Sequence, residues 1–144
     1  EIEVAAQMNI AEIFARDGED FFRRKESQII GRLLDGAPGV LSTGGGAFMS
    51  EANRKMISAR GVSVWLNADL ELLWDRVRQK DTRPLLKTED PKGTLRGLYD
   101  RRVPIYALAD LAVRSEPGMS LEKMAARVAD ALLAERPDVL EERP

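Results

Sequence analysis

The sequence predicts an α/β fold with a parallel sheet. Three short runs, at residues 40–43, 62–66 and 111–113, combine β-branched and apolar residues. Each run is flanked by segments long enough to form helices. Strands that alternate with helices favour parallel pairing, because parallel neighbours need a long crossover connection.

Helices are predicted between and after these strands. Ser50 can cap a helix that runs to Arg60, and Gly61 follows where a helix commonly ends. Two further helices are predicted by apolar residues at the spacing i, i+3, i+4 and i+7, and both apolar faces are interpreted as packing on the sheet. These residues are Leu70, Leu73, Trp74 and Val77 in one helix, and Leu121, Met124, Ala125 and Val128 in the other.

Composition limits the possible functions. A chain of 144 residues with 44% apolar content can form one domain, and a net charge of -2 disfavours nucleic acid or an anionic membrane as a partner. Cysteine and histidine are both absent, which excludes disulfides, thiolate catalysis, an imidazole base and the usual zinc ligands. No apolar run approaches 18 residues and no signal peptide is recognisable, so a cytoplasmic location is expected.

The predicted organisation is one domain over residues 1–136 and a charged, frayed tail over 137–144. Residues 81–93 are polar apart from two leucines and contain two prolines, which predicts a lid or binding loop. The chain begins without Met inside an apparent helix, which suggests a missing upstream piece.

Three consecutive glycines follow the first predicted strand, at positions 44, 45 and 46. Such a run usually marks a special backbone conformation or a close approach to another group. At the carboxyl end of a parallel strand that group is often a ligand, and exposed N–H groups can hold an anion or a hydroxyl oxygen. A plain flexible hinge explains the same pattern, and the spacing leaves both interpretations open.

Two charged segments have simpler explanations when taken alone. A long helix is predicted to open at Gly18, and Glu19 and Arg23 within it have the i, i+4 spacing of a solvated ion pair. In the segment 100–106, Pro104 inside an apparent helix predicts a kink or break, and Arg102 can be an ordinary surface cation.

Taken together, five spaced motifs resemble the shikimate kinase family over residues 1 to about 117. The resemblance implies a three-layer P-loop nucleotide-kinase-like fold and transfer of the γ-phosphoryl of ATP, with Mg²⁺, to the 3-hydroxyl of shikimate. That reaction belongs to chorismate and aromatic amino-acid biosynthesis. The motifs are Ile10-x-Glu12-Ile13-Phe14 with Gly18-Glu19, Phe22-Arg23-x-x-Glu26, Ser42-Thr43-Gly44-Gly45-Gly46, Arg83-Pro84-Leu85-Leu86 and Arg102-x-Pro104-x-Tyr106.

The resemblance also implies roles for individual residues. Arg23 and Arg102 would bind the shikimate carboxylate, and Glu26 would orient Arg23. Arg83 would be the catalytic lid arginine that closes over the nucleotide and neutralises the transferring phosphoryl. The remaining implied contacts are backbone N–H groups of Gly44, Gly45 and Gly46 and rings of Phe14 and Phe22 for the substrate, and Arg76 and Pro117 for the adenine side.

The sequence departs from the family pattern at its start. The phosphate-binding motif G-x-x-x-x-G-K-[ST] is absent, as is the Asp-x-Asp stretch expected just before Glu1, and no metal ligand is predicted among these residues. Gln7 also stands where many members have glycine. We therefore expect a truncated form that lacks the first strand, P-loop, first helix and second strand, and that is poorly stable and inactive alone. ATP and Mg²⁺ would be held mainly by the absent segment, and the complete protein is expected to be a monomer.

Two other functions remain open from the sequence. One is another small-molecule kinase of the same fold, against which the Phe22-Arg23 pair and the glycine run argue. The other is a substrate-binding or regulatory module without catalysis. The missing phosphate-binding motif favours that module, whereas Arg83 argues against it because a lid arginine has little use without a γ-phosphoryl.

Overall fold

A computed structural model describes residues 1–78 and 88–140 of the chain. Its contacts divide the chain into two compact units, Glu1–Gly61 and Val62–Pro144. The single domain and separate tail expected from the sequence stay predictions. Within the described residues, every helix is too short or too polar to cross a bilayer.

The first unit is helical. It contains α1 (Ile2–Ala6), α2 (Ile10–Leu34), a 3-10 turn (Ala47–Met49) and α3 (Glu51–Arg60). Gly18 interrupts α2 with φ 83° and ψ 171°, a conformation that side chains disfavour. The predicted long helix that opens at Gly18 is therefore confirmed.

Helix α3 has both predicted ends. The hydroxyl of Ser50 accepts a hydrogen bond from the Asn53 N–H at 3.3 Å, and the Gly61 N–H donates to the Ile57 carbonyl at 2.7 Å. Ile57 packs with Ile30 of α2 in a small apolar cluster. This packing fixes α3, and with it the chain segment that leads into α3 from the glycine run.

The predicted strand at residues 40–43 is wrong. The segment pairs with no strand in the part of the chain that the structure describes. Val40 is fully exposed, and Leu41, Ser42 and Thr43 line an open cleft of about 230 Å³. A strand is defined by hydrogen bonds to a neighbour as well as by its own composition, so β-forming residues without a partner remain irregular.

Gln7, which ends α1, adopts a left-handed conformation with φ 56° and ψ 33°. This conformation costs a residue with a side chain about 1–2 kcal/mol, whereas glycine adopts it freely. A glycine at this place would avoid that cost.

The second unit contains the parallel pair. Strand β1 (Val64–Asn67) lies beside β2 (Leu111–Arg114), with Val64 opposite Leu111. Asp110 extends the pairing, because its carboxylate accepts hydrogen bonds from the Ser63 N–H at 2.9 Å and hydroxyl at 3.0 Å. Both predicted strands are confirmed, although β1 begins two residues later than expected.

Helices α4 (Leu70–Val77), α5 (Pro91–Tyr106) and α6 (Leu121–Glu135) complete the second unit. The two predicted amphipathic helices are α4 and α6. The predicted packing face of α6 is wrong in part, because Leu121 is 86% exposed and Ala125 is also exposed. Leu121 is the first residue of the helix, where a side chain has no preceding turn to pack against.

Two predictions near α5 need correction. The loop predicted at 81–93 ends earlier, because Pro91 opens α5 and the Asp90 carboxylate caps it by accepting from the Gly93 N–H at 3.1 Å. Residues 79–87 lie outside the described part. The break that was one of the two expectations at Pro104 does not occur, because the helix continues to Tyr106. The other expectation, a kink, stays a prediction. Proline removes one hydrogen bond, and here that loss falls in the last turn.

The start of the predicted tail carries an exposed ion pair. The Arg136 guanidinium donates to both carboxylate oxygens of Asp138, at 2.9 and 2.8 Å. This hydrogen bonding lowers the pKa of Asp138. Residues 141–144 lie outside the described part, so the predicted fraying stays a prediction.

Candidate functional site

Arg23 is the central cation of the candidate site. Its Nη1 donates to Glu26 Oε1 at 2.8 Å, and its Nη2 lies 3.5 Å from Glu19 Oε1. Glu26 is only 4% exposed, whereas 35% of the Arg23 side chain remains accessible. A buried carboxylate therefore fixes one side of the guanidinium, and the accessible side can receive an anion.

The ring of Phe22 lies beside this cation, and the ring of Phe14 packs against Phe22. The ring centroids of Phe14 and Phe22 are 4.9 Å apart, and the Arg23 Cζ lies 5.2 Å from the Phe22 centroid. Phe22 is buried, whereas Phe14 is 38% exposed. The accessible Phe14 ring is connected to the cation through Phe22, and this arrangement suits a small ligand that has both an apolar ring and a negative charge.

The glycine run meets the same cluster. A Cβ built on Gly46 would lie 2.6 Å from the Arg23 Cζ, and one on Gly44 would lie 3.9 Å from Glu26 Oε2. The run is held in a turn, because the Ala47 N–H donates to the Gly44 carbonyl at 3.2 Å. These contacts argue against the flexible-hinge interpretation. Six predicted site residues are brought together here: Phe14, Phe22, Arg23, Glu26, Gly44 and Gly46.

Two residues that sequence reasoning missed hold this turn from α3. The Asn53 Nδ2 donates to the Ala47 carbonyl at 2.9 Å, and the Arg54 Nη1 donates to the Phe48 carbonyl at 2.7 Å. Asn53 is 2% exposed. A sequence signal existed, since Asn53 is a polar residue four positions before Ile57 on the same helix face.

In the second unit, the predicted adenine-side residues lie near one another. The Arg76 Nη2 donates to the Ser115 hydroxyl at 2.8 Å, directly after β2. The following turn contains Pro117, and the Arg127 Nη2 donates to Glu116 Oε2 at 3.3 Å beside it. Ser115 and Arg127 were not predicted, because nothing in their sequence spacing marks them.

Several predicted roles stay predictions. Arg102 is half-buried on α5 in the second unit. Its proposed partnership with Arg23 around one carboxylate is therefore untested. Gly45 lies within the held turn, and Arg83 lies outside the described residues.

Magnesium has no evident protein site in the described ranges. Residues 1–78 and 88–140 contain no group of three or more acidic side chains that could hold a metal ion. A site for hard cations needs oxygen ligands, several of them usually carboxylates. We therefore derive no step through the metal from these residues.

Comparison with known proteins identifies the family. The shikimate kinase family profile matches residues 1–133. Proteins named shikimate kinase from Ruegeria pomeroyi and Cereibacter sphaeroides are each 66% identical over 141 residues, which is 98% of this chain. The matches cover 72% and 70% of those two proteins, respectively.

Solved structures agree in fold. Shikimate kinase from Acinetobacter baumannii, in complex with shikimate, matches with a TM-score of 0.80 and 31% identity, over 94% of this chain and 76% of that one. Shikimate kinase from Aquifex aeolicus matches with a TM-score of 0.75 and 27% identity, over 98% of this chain and 80% of that one.

The structural matches show that the chain is an α/β protein with the P-loop kinase fold, as the sequence resemblance implied. It belongs to the shikimate kinase family. The expected absence of the first strand, P-loop, first helix and second strand stays a prediction.

Proposed function

We propose that this protein transfers the γ-phosphoryl of ATP to the 3-hydroxyl of shikimate. The observation that carries the proposal is the position of Arg23. It is a partly accessible cation that is fixed by the buried Glu26 and lies against Gly46 of the glycine run. Family membership supports the reaction, and the Acinetobacter baumannii relative has shikimate bound.

Shikimate is a small carboxylate whose ring carries three hydroxyl groups. In the proposal, Arg23 and Arg102 bind the carboxylate, for which the planar guanidinium fork is better suited than lysine. Backbone N–H groups of the glycine run at 44–46 contact the hydroxyl-bearing ring. Phe14 and Phe22 form the apolar wall on which the ring lies.

Phosphoryl transfer depends mainly on positioning and electrostatic stabilisation. In the proposal, Arg76 and the turn at Pro117 contact the adenine side of ATP. Arg83, in the lid segment, neutralises charge on the transferring phosphoryl. This assignment rests on the resemblance of Arg83-Pro84-Leu85-Leu86 to the family motif.

ATP and Mg²⁺ are the family's cofactors. The G-x-x-x-x-G-K-[ST] motif is absent from the 144 residues, and the described ranges lack an acidic metal-binding group. We therefore assign no contact to Mg²⁺ among the described residues. The 144-residue chain by itself is expected to release ADP slowly when shikimate is present, and full shikimate-dependent turnover by this chain would contradict that expectation.

A substrate-binding module without catalysis is the second candidate. The absent phosphate-binding motif favours it. Shikimate titrated against the fluorescence of Trp65 and Trp74 separates the two functions. Saturable binding by the intact product without any ATP turnover would favour the module.

The proposed activity is tested by shikimate-dependent ADP release from the product of the intact gene. We expect release only when shikimate is present, and Arg23→Ala should lower kcat/KM for shikimate about 100-fold, the size of losing a charge-assisted carboxylate contact. Arg24→Ala is the matched control, because Arg24 is an exposed neighbour on the same helix. ADP release that does not depend on shikimate would contradict the proposal.

A further inference from the structure

Gly46 has an ordinary backbone conformation, with φ -82° and ψ -19°. Any residue adopts such angles, so conformational freedom does not explain the glycine. A Cβ at this position would lie 2.6 Å from both the Cζ and the Nη1 of Arg23, much closer than real Cβ atoms approach. The Arg23 guanidinium occupies the space of a side chain at 46, so any residue other than glycine would displace it.

The position of Gly46 depends on the turn that follows it. The Met49 N–H donates to the Gly46 carbonyl at 3.2 Å, and Ala47 is 1% exposed. The Ala47 carbonyl in turn accepts from the Asn53 Nδ2 at 2.9 Å. Asn53 therefore connects α3 to the residue directly after Gly46.

The buried side chain of Asn53 lowers the stability of the fold relative to an apolar side chain of the same shape. Its Oδ1 is buried and has no hydrogen-bond partner among the residues that the structure describes. A buried acceptor without a partner lowers stability, and an apolar side chain of similar shape would avoid that cost. What an apolar side chain cannot supply is the hydrogen bond to the Ala47 carbonyl.

We propose that Asn53 is a positioning residue for shikimate binding. Through Ala47 it holds Gly46 against the Arg23 guanidinium, and thereby limits the orientations in which Arg23 meets the carboxylate. This inference rests on the proposed function. It adds a residue on α3 that acts through the Ala47 carbonyl.

The test is a double-mutant cycle on the product of the intact gene. Asn53→Leu keeps the approximate size of the side chain and removes the donor. We expect the KM for shikimate to rise about fivefold, as for the loss of one buried hydrogen bond, while kcat and the KM for ATP change less than about twofold. In an Arg23→Ala background the same substitution should change the KM for shikimate little, because coupled residues are not additive.

Lys55→Ala is the control on the same helix, because the Lys55 side chain is 77% exposed. If Asn53→Leu does not fold, Asn53→Asp enters the same cycle, since it keeps the shape and loses the donor when ionised. This inference alone would be overturned if the Asn53 substitution changed the KM for shikimate equally with and without Arg23. It would also be overturned if the substitution raised the KM for shikimate and the KM for ATP equally. Wild-type protein without shikimate-dependent ADP release would overturn the proposed function and this inference with it.

Discussion

Gly46 in the first unit and Gly118 in the second both lie in turns, but a side chain would disturb them differently. Gly46 has φ -82°, and its missing Cβ leaves the space that Arg23 occupies. Gly118 has φ 74°, and a Cβ there would meet nothing within 4 Å. One glycine provides space beside a cation, and the other provides a left-handed backbone conformation.

The surroundings of the two turns differ in the same way. The first turn is held by the buried Asn53. The second is bordered by exposed charges, such as the pair of Arg127 with Glu116 at 3.3 Å. Exposed ion pairs contribute little to stability because water and salt screen them. We infer that the turn on the proposed substrate side is more strongly preorganised for its ligand than the turn on the proposed adenine side.

The largest effect is expected for Glu26→Ala. This change leaves Arg23 without the carboxylate that lies 2.8 Å away. Breaking a fully buried pair costs about 3–5 kcal/mol, and because about a third of the Arg23 side chain is exposed (35%) we expect about 2 kcal/mol. Urea denaturation gives the free energy of unfolding, with Glu51→Ala as the control for an exposed pair. Equal losses of unfolding free energy for Glu26→Ala and Glu51→Ala would contradict the inference that the substrate side is preorganised.

Gly46→Ala should have the next largest effect, and it should fall on substrate recognition. The methyl group would displace the Arg23 guanidinium without straining the backbone at φ -82°. We expect the KM for shikimate to rise about tenfold, equivalent to about 1.4 kcal/mol, and the KM for ATP to stay within about twofold. Steady-state rates with each substrate varied in turn measure both values. A parallel rise in the two KM values would argue against a local effect on Arg23.

Gly118→Ala should have the smallest effect, and it should fall on stability. The left-handed conformation at φ 74° costs a residue with a side chain about 1 kcal/mol, or roughly 2–4 °C in melting temperature for a domain of this size. The KM for shikimate should not change. Thermal unfolding followed by circular dichroism measures the shift, and an unchanged melting temperature would contradict the backbone explanation.

The fold was predictable where local pattern determines it. The Ser50 cap and Gly61 end of α3 and the helix opening at Gly18 appear as expected. Both strands of the second unit are also present, with β1 displaced by two residues at its start. The strand at 40–43 could not be decided in this way, since its residues favour β structure but a strand exists only beside a partner.

The candidate site was predictable only through its motifs. Glu19 and Arg23 alone indicated a solvated ion pair, and the structure retains that contact at 3.5 Å beside the shorter one to Glu26. The sequence marked Asn53 only as a polar residue on the same helix face as Ile57. Its partner could not be predicted, because the Ala47 carbonyl lies six residues earlier and only the turn brings it within 2.9 Å.

Shikimate binding without nucleotide tests the central claim most directly. Calorimetric titration of shikimate into the product of the intact gene should give a dissociation constant about tenfold higher for Gly46→Ala than for wild type, because the turn positions the arginine that receives the carboxylate. Gly118→Ala should match wild type. Equal affinity of all three proteins, or weaker binding only by Gly118→Ala, would contradict the assignment of the Arg23 cluster as the shikimate site.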